Sequence, residues 1–447
     1  MTIQKKFRAP ALPIPKTDYD QIQQTDLIRA LRLYFNLLDD YLNSLTNEVN
    51  NFMDPFSATS LDAFGRLRIS QPYTLFDSQN RYQKDPQFSE QLATGGTATY
   101  VANESSVDLA VTTSSGSKAV RQSFRVFPYQ PGKSLMVLAT FVMNAGQTNL
   151  RQRVGYFNTS NGVFFQMDGT TKSFVLRTNT SGTPSDVRTV NQADWNGDKL
   201  DGTGVSGITL DVTKAQILYM DFEWLGVGSV RCGFVIDGTF YVCHTFNNAN
   251  EIDKVYMTTA ILPVRYEIEN TGATSAAATL TQICSSVISE GGYDAKSALT
   301  WARRTSTLTG VTTSFVPIVS IRLKSTSLGA VVIPAVFHAI PIGSVLDYEV
   351  ALIKNATLTG ASWASNSTNV EADVTATALT GGTIVDLNYV SGSNQGSGTA
   401  SGDLEYNFDN QLVVTVGGTS DIFTLAARTI SGTDDIIGAM SYYDLTD

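Results

Sequence analysis

The chain has 447 residues, 42% of them hydrophobic and only 16% charged, with a net charge of −10 at pH 7. That length exceeds what one hydrophobic core serves and points to two domains plus a smaller segment. An acidic chain without a basic stripe excludes a nucleic-acid partner, and no apolar run is long enough for a membrane helix.

In place of charge the chain is rich in Ser, Thr, Asn and Gly, which suit strand surfaces and tight turns rather than a rod or a disordered tail. From residue 355 onward eleven Asp and Glu stand against one base, Arg428. That far end should repel DNA and anionic lipid. The opening Met1-Thr-Ile-Gln-Lys5-Lys6 lacks the apolar stretch of a secretory signal, so the expectation is a soluble protein made in the cytoplasm. Three cysteines, Cys232, Cys243 and Cys284, are too few and oddly numbered for a disulfide framework and fit a reducing compartment.

Residues 1–56 read as an extended arm followed by an anchoring helix. Pro10, Pro13 and Pro15 sit too close together for a helix and favour polyproline-like backbone. Thr25 then has the chemistry of an N-cap, with Asp26 in the first turn, and a helix is expected to about Phe52. Leu27, Leu31, Tyr34, Leu38, Tyr41 and Leu45 recur at steps of four and three. Ile28, Phe35, Leu42 and Val49 widen that stripe beyond a two-stranded seam. Such a face either lies on its own domain or serves assembly, as a bundle of copies or by docking on another protein. A terminal helix behind a proline arm favours assembly, through Leu27, Leu31, Tyr34, Phe35, Leu38, Tyr41, Leu42 and Leu45. Glu48, at the next heptad core position, would open the bundle there.

From residue 57 the pattern changes to strands and turns, and 57–290 reads as a first β-sandwich domain. Ser134–Met143 is a nearly continuous apolar run of strand length. Val154–Phe157 and Val163–Phe165 flank the turn Asn158–Gly162. Another turn starts at Met167-Asp168-Gly169-Thr170. Asp237-Gly238, between Ser229–Ile236 and Thr239–Phe246, is the strongest hairpin signal in the chain. Residues 291–305 read as a linker, and 306–447 as a smaller, acidic β domain with an exposed loop at Ser391–Gly398. The fold class is thus mainly β, an arm and amphipathic helix followed by two antiparallel sandwich or jelly-roll-like domains.

The candidate chemistry is thin. His244 and His338 fall in separate domains within apolar strands, and no nucleophile elbow, HExxH, P-loop or GxGxxG accompanies them. The best metal candidate is the loop Asp194, Asn196, Asp198 and Asp201, with hard oxygens at every second position as calcium loops have. Lys199 stands where an EF-hand needs glycine, and Val205 where it needs its bidentate Glu, so a structural loop plugged by Trp195 is favoured over calcium. If Asp237-Gly238 is a two-residue turn, Cys232 and Cys243 face each other, favouring two free thiols over a disulfide. Trp195, Trp224, Trp301 and Trp363 have faces that stack on sugars, although scattered aromatics in strands usually belong to cores.

Several stretches carry a resemblance. Leu61-Asp-Ala-Phe-Gly-Arg-Leu-Arg-Ile-Ser70 with Thr74-Leu-Phe-Asp-Ser78 is one, and Phe222–Arg231 with Gly233-Phe-Val-Ile-Asp-Gly238 another. Leu262-Pro-Val-Arg-Tyr-Glu-Ile-Glu-Asn270, Ile288-Ser-Glu-Gly-Gly-Tyr293 and the arm Leu12-Pro-Ile-Pro15 complete the set. Together they resemble virion structural proteins of tailed bacteriophages, especially aquatic and cyanobacterial ones, over much of 10–295. The resemblance implies a non-enzymatic particle component with no catalytic residues and no cofactor. Its partners would be its own copies, a homotrimer being favoured, and other head or tail proteins. A receptor- or glycan-binding module at the particle surface, taking a host glycan, is the alternative.

Overall fold

The structure is a computed structural model that describes residues 21–53, 71–294, 297, 299–342, 346–392, 400–403 and 410–446. The chain divides into two compact units, residues 1–70 and 71–447. In the first unit the described element is α1 (Gln21–Met53). Thr25 lies inside this helix and is not its N-cap. Gln21, Gln23 and Gln24 are good helix formers and no proline stands between Pro15 and Pro55, so nothing stops the helix at Thr25. The proline arm and the Leu61–Ser70 stretch lie outside the described residues. Among the described residues no helix is long and apolar enough to cross a membrane.

The second unit is built of strands. The first of them are β1 (Tyr73–Gln79), β2 (Phe88–Ala93), β3 (Thr97–Val101), β4 (Ser106–Val111), β5 (Lys118–Ser123), β6 (Leu135–Val142) and β7 (Leu150–Phe157). There follow β8 (Gly162–Asp168), β9 (Thr171–Thr178), β10 (Ser185–Asn191), β11 (Gln216–Phe222), β12 (Val230–Ile236), β13 (Thr239–Phe246), β14 (Val264–Asn270) and β15 (Ala278–Ser289). One sheet of eight runs β13-β12-β11-β6-β15-β4-β3, with β1 also on β15; a sheet of seven runs β10-β9-β8-β7-β14-β5-β2. Leu135, Val137, Ala139 and Phe141 alternate along β6 and meet Val154, Tyr156, Phe165 and Phe174 of the other sheet in one core. Two antiparallel sheets that share their inward residues make a β-sandwich.

Local chemistry sets the hairpins. Ile236 pairs with Thr239, so Asp237-Gly238 is a two-residue turn, and both residues have positive φ, 51° and 75°. That is the twist-matched type I′ geometry. Cys232 nevertheless does not oppose Cys243. A bulge shifts the register so that Cys232 faces His244 and Gly233 faces Val242. Both thiols are free and buried in the core. In the next hairpin Phe157 pairs with Gly162, and the Asn158 carboxamide oxygen accepts the N–H groups of Ser160 and Asn161 at 2.7 and 2.8 Å.

The remaining strands form a five-stranded sheet, a six-stranded sheet and a two-stranded ribbon. Their core holds Ile318, Ile321, Phe337, Tyr348, Leu352, Phe423, Leu425, Met440 and Tyr442. Leu299–Arg303, in the stretch read as linker, is itself a strand that pairs with Asp434–Asp444. The backbone ladder and Ala302, which enters the core, explain why the segment is ordered. The two cores also touch. Val331 and Ile333 belong to the first, and the Val416 N–H donates to Ser89 Oγ at 3.0 Å.

Candidate functional site

The sequence-level candidates are dispersed. In the 194–201 loop the Asp198 carboxylate accepts the N–H groups of Leu200 (2.9 Å) and Ser206 (2.8 Å). Asp201 accepts Thr203 N–H and Oγ1 at 2.9 and 2.6 Å. Asn196 is tied to the Thr245 backbone by both ends of its amide. Asp194 ends a short 3₁₀ turn, and Trp195 is buried against Phe174 with ring centroids 4.7 Å apart. These are Asx-turns closing a loop over an aromatic plug, with Asp198 and Asp201 bonded to its backbone and Asn196 to that of Thr245. Among the described residues no group of three or more His, Cys, Asp or Glu could hold a metal ion.

His244 packs edge-on against Phe246 at 4.5 Å, and its Nδ1 accepts the Asn196 N–H at 3.4 Å. Burial, then the Arg188 charge, lowers its pKa, so the ring is a neutral acceptor. His338 stands exposed on a strand of the other core. Of the tryptophans, Trp224 donates to the Met257 carbonyl and Trp363 lies under Arg322, leaving Trp301, 59% exposed, with an open face.

On α1, Ile28, Leu31 and Phe35 are 47%, 36% and 57% exposed, and Leu42 is 50% exposed. Leu27, Tyr34, Leu38 and Tyr41 are half-buried by neighbours along the helix. The side chain of Leu45 lies outside the described residues.

What the sequence reading missed is on the outer face of the seven-stranded sheet. Along β14, Val264, Tyr266 and Ile268 enter the core, so Arg265, Glu267 and Glu269 must face the other way. Register places Glu267 opposite Arg153 of β7, and Glu269 between Arg151 of β7 and Lys118 of β5. Arg153 and Arg151 both donate to Glu269 Oε1, Arg153 at 2.9 Å. Lys118 Nζ lies 3.3 Å from Glu269 and 3.6 Å from Glu267. Arg265 forks onto Glu267 at 2.8 and 2.5 Å. Arg177 of β9 forks onto Asp186 at 2.7 and 2.8 Å.

Beneath this ionic layer Phe157, Phe164 and Val175 form a small buried cluster, the two rings 4.4 Å apart. Arg153 and Arg177 cover the Phe164 face at 5.7 and 5.1 Å, and Arg265 covers Phe157 at 5.5 Å. Gly155, opposite both Arg265 and Phe164, makes the close packing possible. A Cβ there would meet the Val163 carbonyl at 2.5 Å. The guanidiniums lie over apolar rings and are thus held flat and partly desolvated.

Burial pushes the Glu267 carboxyl up, but Arg265, Arg153 and Lys118 outweigh it and hold it at about 2. Glu267 therefore stays a carboxylate and cannot deliver a proton to a leaving group at neutral pH, as a glycosidase acid must. Burial also lowers Arg153, and neighbouring Arg151 and Arg177 add repulsion while Glu267 and Glu269 oppose it. Thr159 and Pro184 complete the walls of a groove of about 290 Å³. The arrangement can bind a small polar or anionic group.

No family model matches the chain, and no curated protein matches it. Among solved structures it is similar to the Emp47p carbohydrate recognition domain, with 13% identity and a TM-score of 0.30 over 52% of this chain and 98% of that one. The Bacillus licheniformis β-glucanase shows 11% identity and a TM-score of 0.31 over 47% and 96%. A structure of endo-acting O-glycanases of the human gut microbiota shows 12% identity and a TM-score of 0.34 over 48% and 99%. Similarity at this level carries no activity across.

Proposed function

We propose that this chain is a non-catalytic recognition protein of a tailed-phage particle, whose β body binds a glycan through the groove on the seven-stranded sheet. The groove carries the reading. It is polar, seated on the strands of one sheet, and its charges come from five of them, β5, β7, β9, β10 and β14. Sites built on strands hold their donors more firmly than sites on loops. A glycan array probed with the whole chain, with and without calcium, tests it. The account expects a defined set of glycans bound equally in both conditions; an array without signal would sink it.

The exposed apolar face of α1 supports a second role beside the first, assembly of the protein into the particle. Exposing Ile28, Leu31 and Phe35 to water is unfavourable, and contact with other copies would relieve it by roughly 1.5–3 kcal/mol per fully buried side chain. The width of the stripe favours three helices over two. Virion proteins of the head or tail are the other partners this reading implies.

A further inference from the structure

We infer that the groove selects a glycan bearing an isolated acidic sugar, whose carboxylate lodges beside the exposed cations Lys118 and Arg151. The inference rests on the glycan-binding reading and supplies its chemical class. Five cations, Lys118, Arg151, Arg153, Arg177 and Arg265, line the groove against three carboxylates, Asp186, Glu267 and Glu269. Two positive charges remain among the groups lining the groove, Asp168 standing opposite Arg151 outside it, in a chain whose net charge is −10. An ion-pair network serving stability alone gains nothing from such an excess, because like charges confined together repel. Arg153 is confined among these charges: its side chain is 5% exposed, and among the described residues its Nε has no hydrogen-bond acceptor.

The members that face the solvent are the ones a ligand would meet. Lys118 and Arg151 side chains are 28% and 30% exposed, and Arg177 is 12% exposed beside exposed Thr159 and Pro184. Planar guanidiniums pair best with planar carboxylates, as Arg265 and Arg177 already do with Glu267 and Asp186. A cavity of about 290 Å³ is at the small end of ligand sites and admits about one sugar ring. Overall acidity decides the density of charge. A polymer with an anion at every unit is repelled by the whole molecule, whereas a mostly neutral glycan with one acid per repeat feels chiefly the local excess.

The test is titration of the whole chain with glucuronate and galacturonate, against glucose and galactose as neutral controls and heparin as the densely charged one. Uronates are expected to bind at least about tenfold more tightly than the neutral sugars and than heparin per unit. The Lys118→Gln/Arg151→Gln double variant cancels the excess at exposed positions and should lose about tenfold or more in a chain that still melts cooperatively. Glu269→Gln, which releases Arg151 and Arg153, should tighten binding several-fold. Uronates binding no better than neutral sugars, or an unchanged double variant, overturns the acidic assignment. In that case glycans bound on the array leave the glycan-binding reading standing, whereas an array without signal removes both.

Discussion

Glu267 is the residue on which the charged face is organised. It is 2% exposed and within reach of three cations, so its removal leaves Arg265 buried without its counter-charge and Arg153 with Glu269 alone. Glu267→Gln should therefore cost roughly 3–5 kcal/mol at pH 7. The pH dependence has a definite sign. Its folded pKa, about 2, lies below the ordinary 4.5, so the carboxylate contributes stability that is complete above pH 4.5 and fades as pH falls toward 2. Thermal melting of wild type and variant should show a wide gap at pH 7 that narrows at pH 3. An equal gap at both would mean that the buried charge is not what the variant loses. None of this was legible as a site. Arg265, Glu267 and Glu269 do alternate with Tyr266 and Ile268, a period-two signal that was available. Their partners, however, lie more than a hundred positions away at Lys118, Arg151 and Arg153, and only register joins them.

At the scale of elements, local rules were read well and their interruptions were not. Asp237-Gly238 announced its hairpin because two adjacent positive φ angles admit few residue pairs. The same hairpin hid the bulge that separates Cys232 from Cys243, since one extra residue leaves no mark in a strand pattern. The calcium spacing of 194–201 proved ambiguous for a related reason: short carboxylate side chains that suit a cation also suit backbone N–H groups two residues on. Helix α1 was found from its period but started too late, because glutamines extend a helix without signalling its end. On this helix Leu38 lies at the middle of the stripe. Leu38→Asp places a charge in every helix of an assembly at once. Light scattering should report a drop from oligomer to single-chain mass, with the melting of the β body unchanged. Retention of the wild-type mass would assign the oligomer to the β body instead.

For the whole molecule, the layered β architecture followed from composition and turn spacing, while the acidic balance concealed a site of opposite sign. Averaging charge over 447 residues gives −10, and a local excess of two positive charges is invisible in that sum. A groove holding about one sugar ring binds weakly alone. In the proposed trimer, three such grooves carried on one helical bundle would act together, because each further contact is intramolecular and overall binding can rise by about 10²–10⁴. The most direct measurement is dissociation from an immobilised polysaccharide that carries a glycan identified on the array, comparing wild type with Leu38→Asp. The account predicts that wild type leaves on the order of 100 times more slowly, while the two bind free monosaccharide equally. Equal dissociation rates would contradict the claim that α1 gathers copies so that their grooves bind as one.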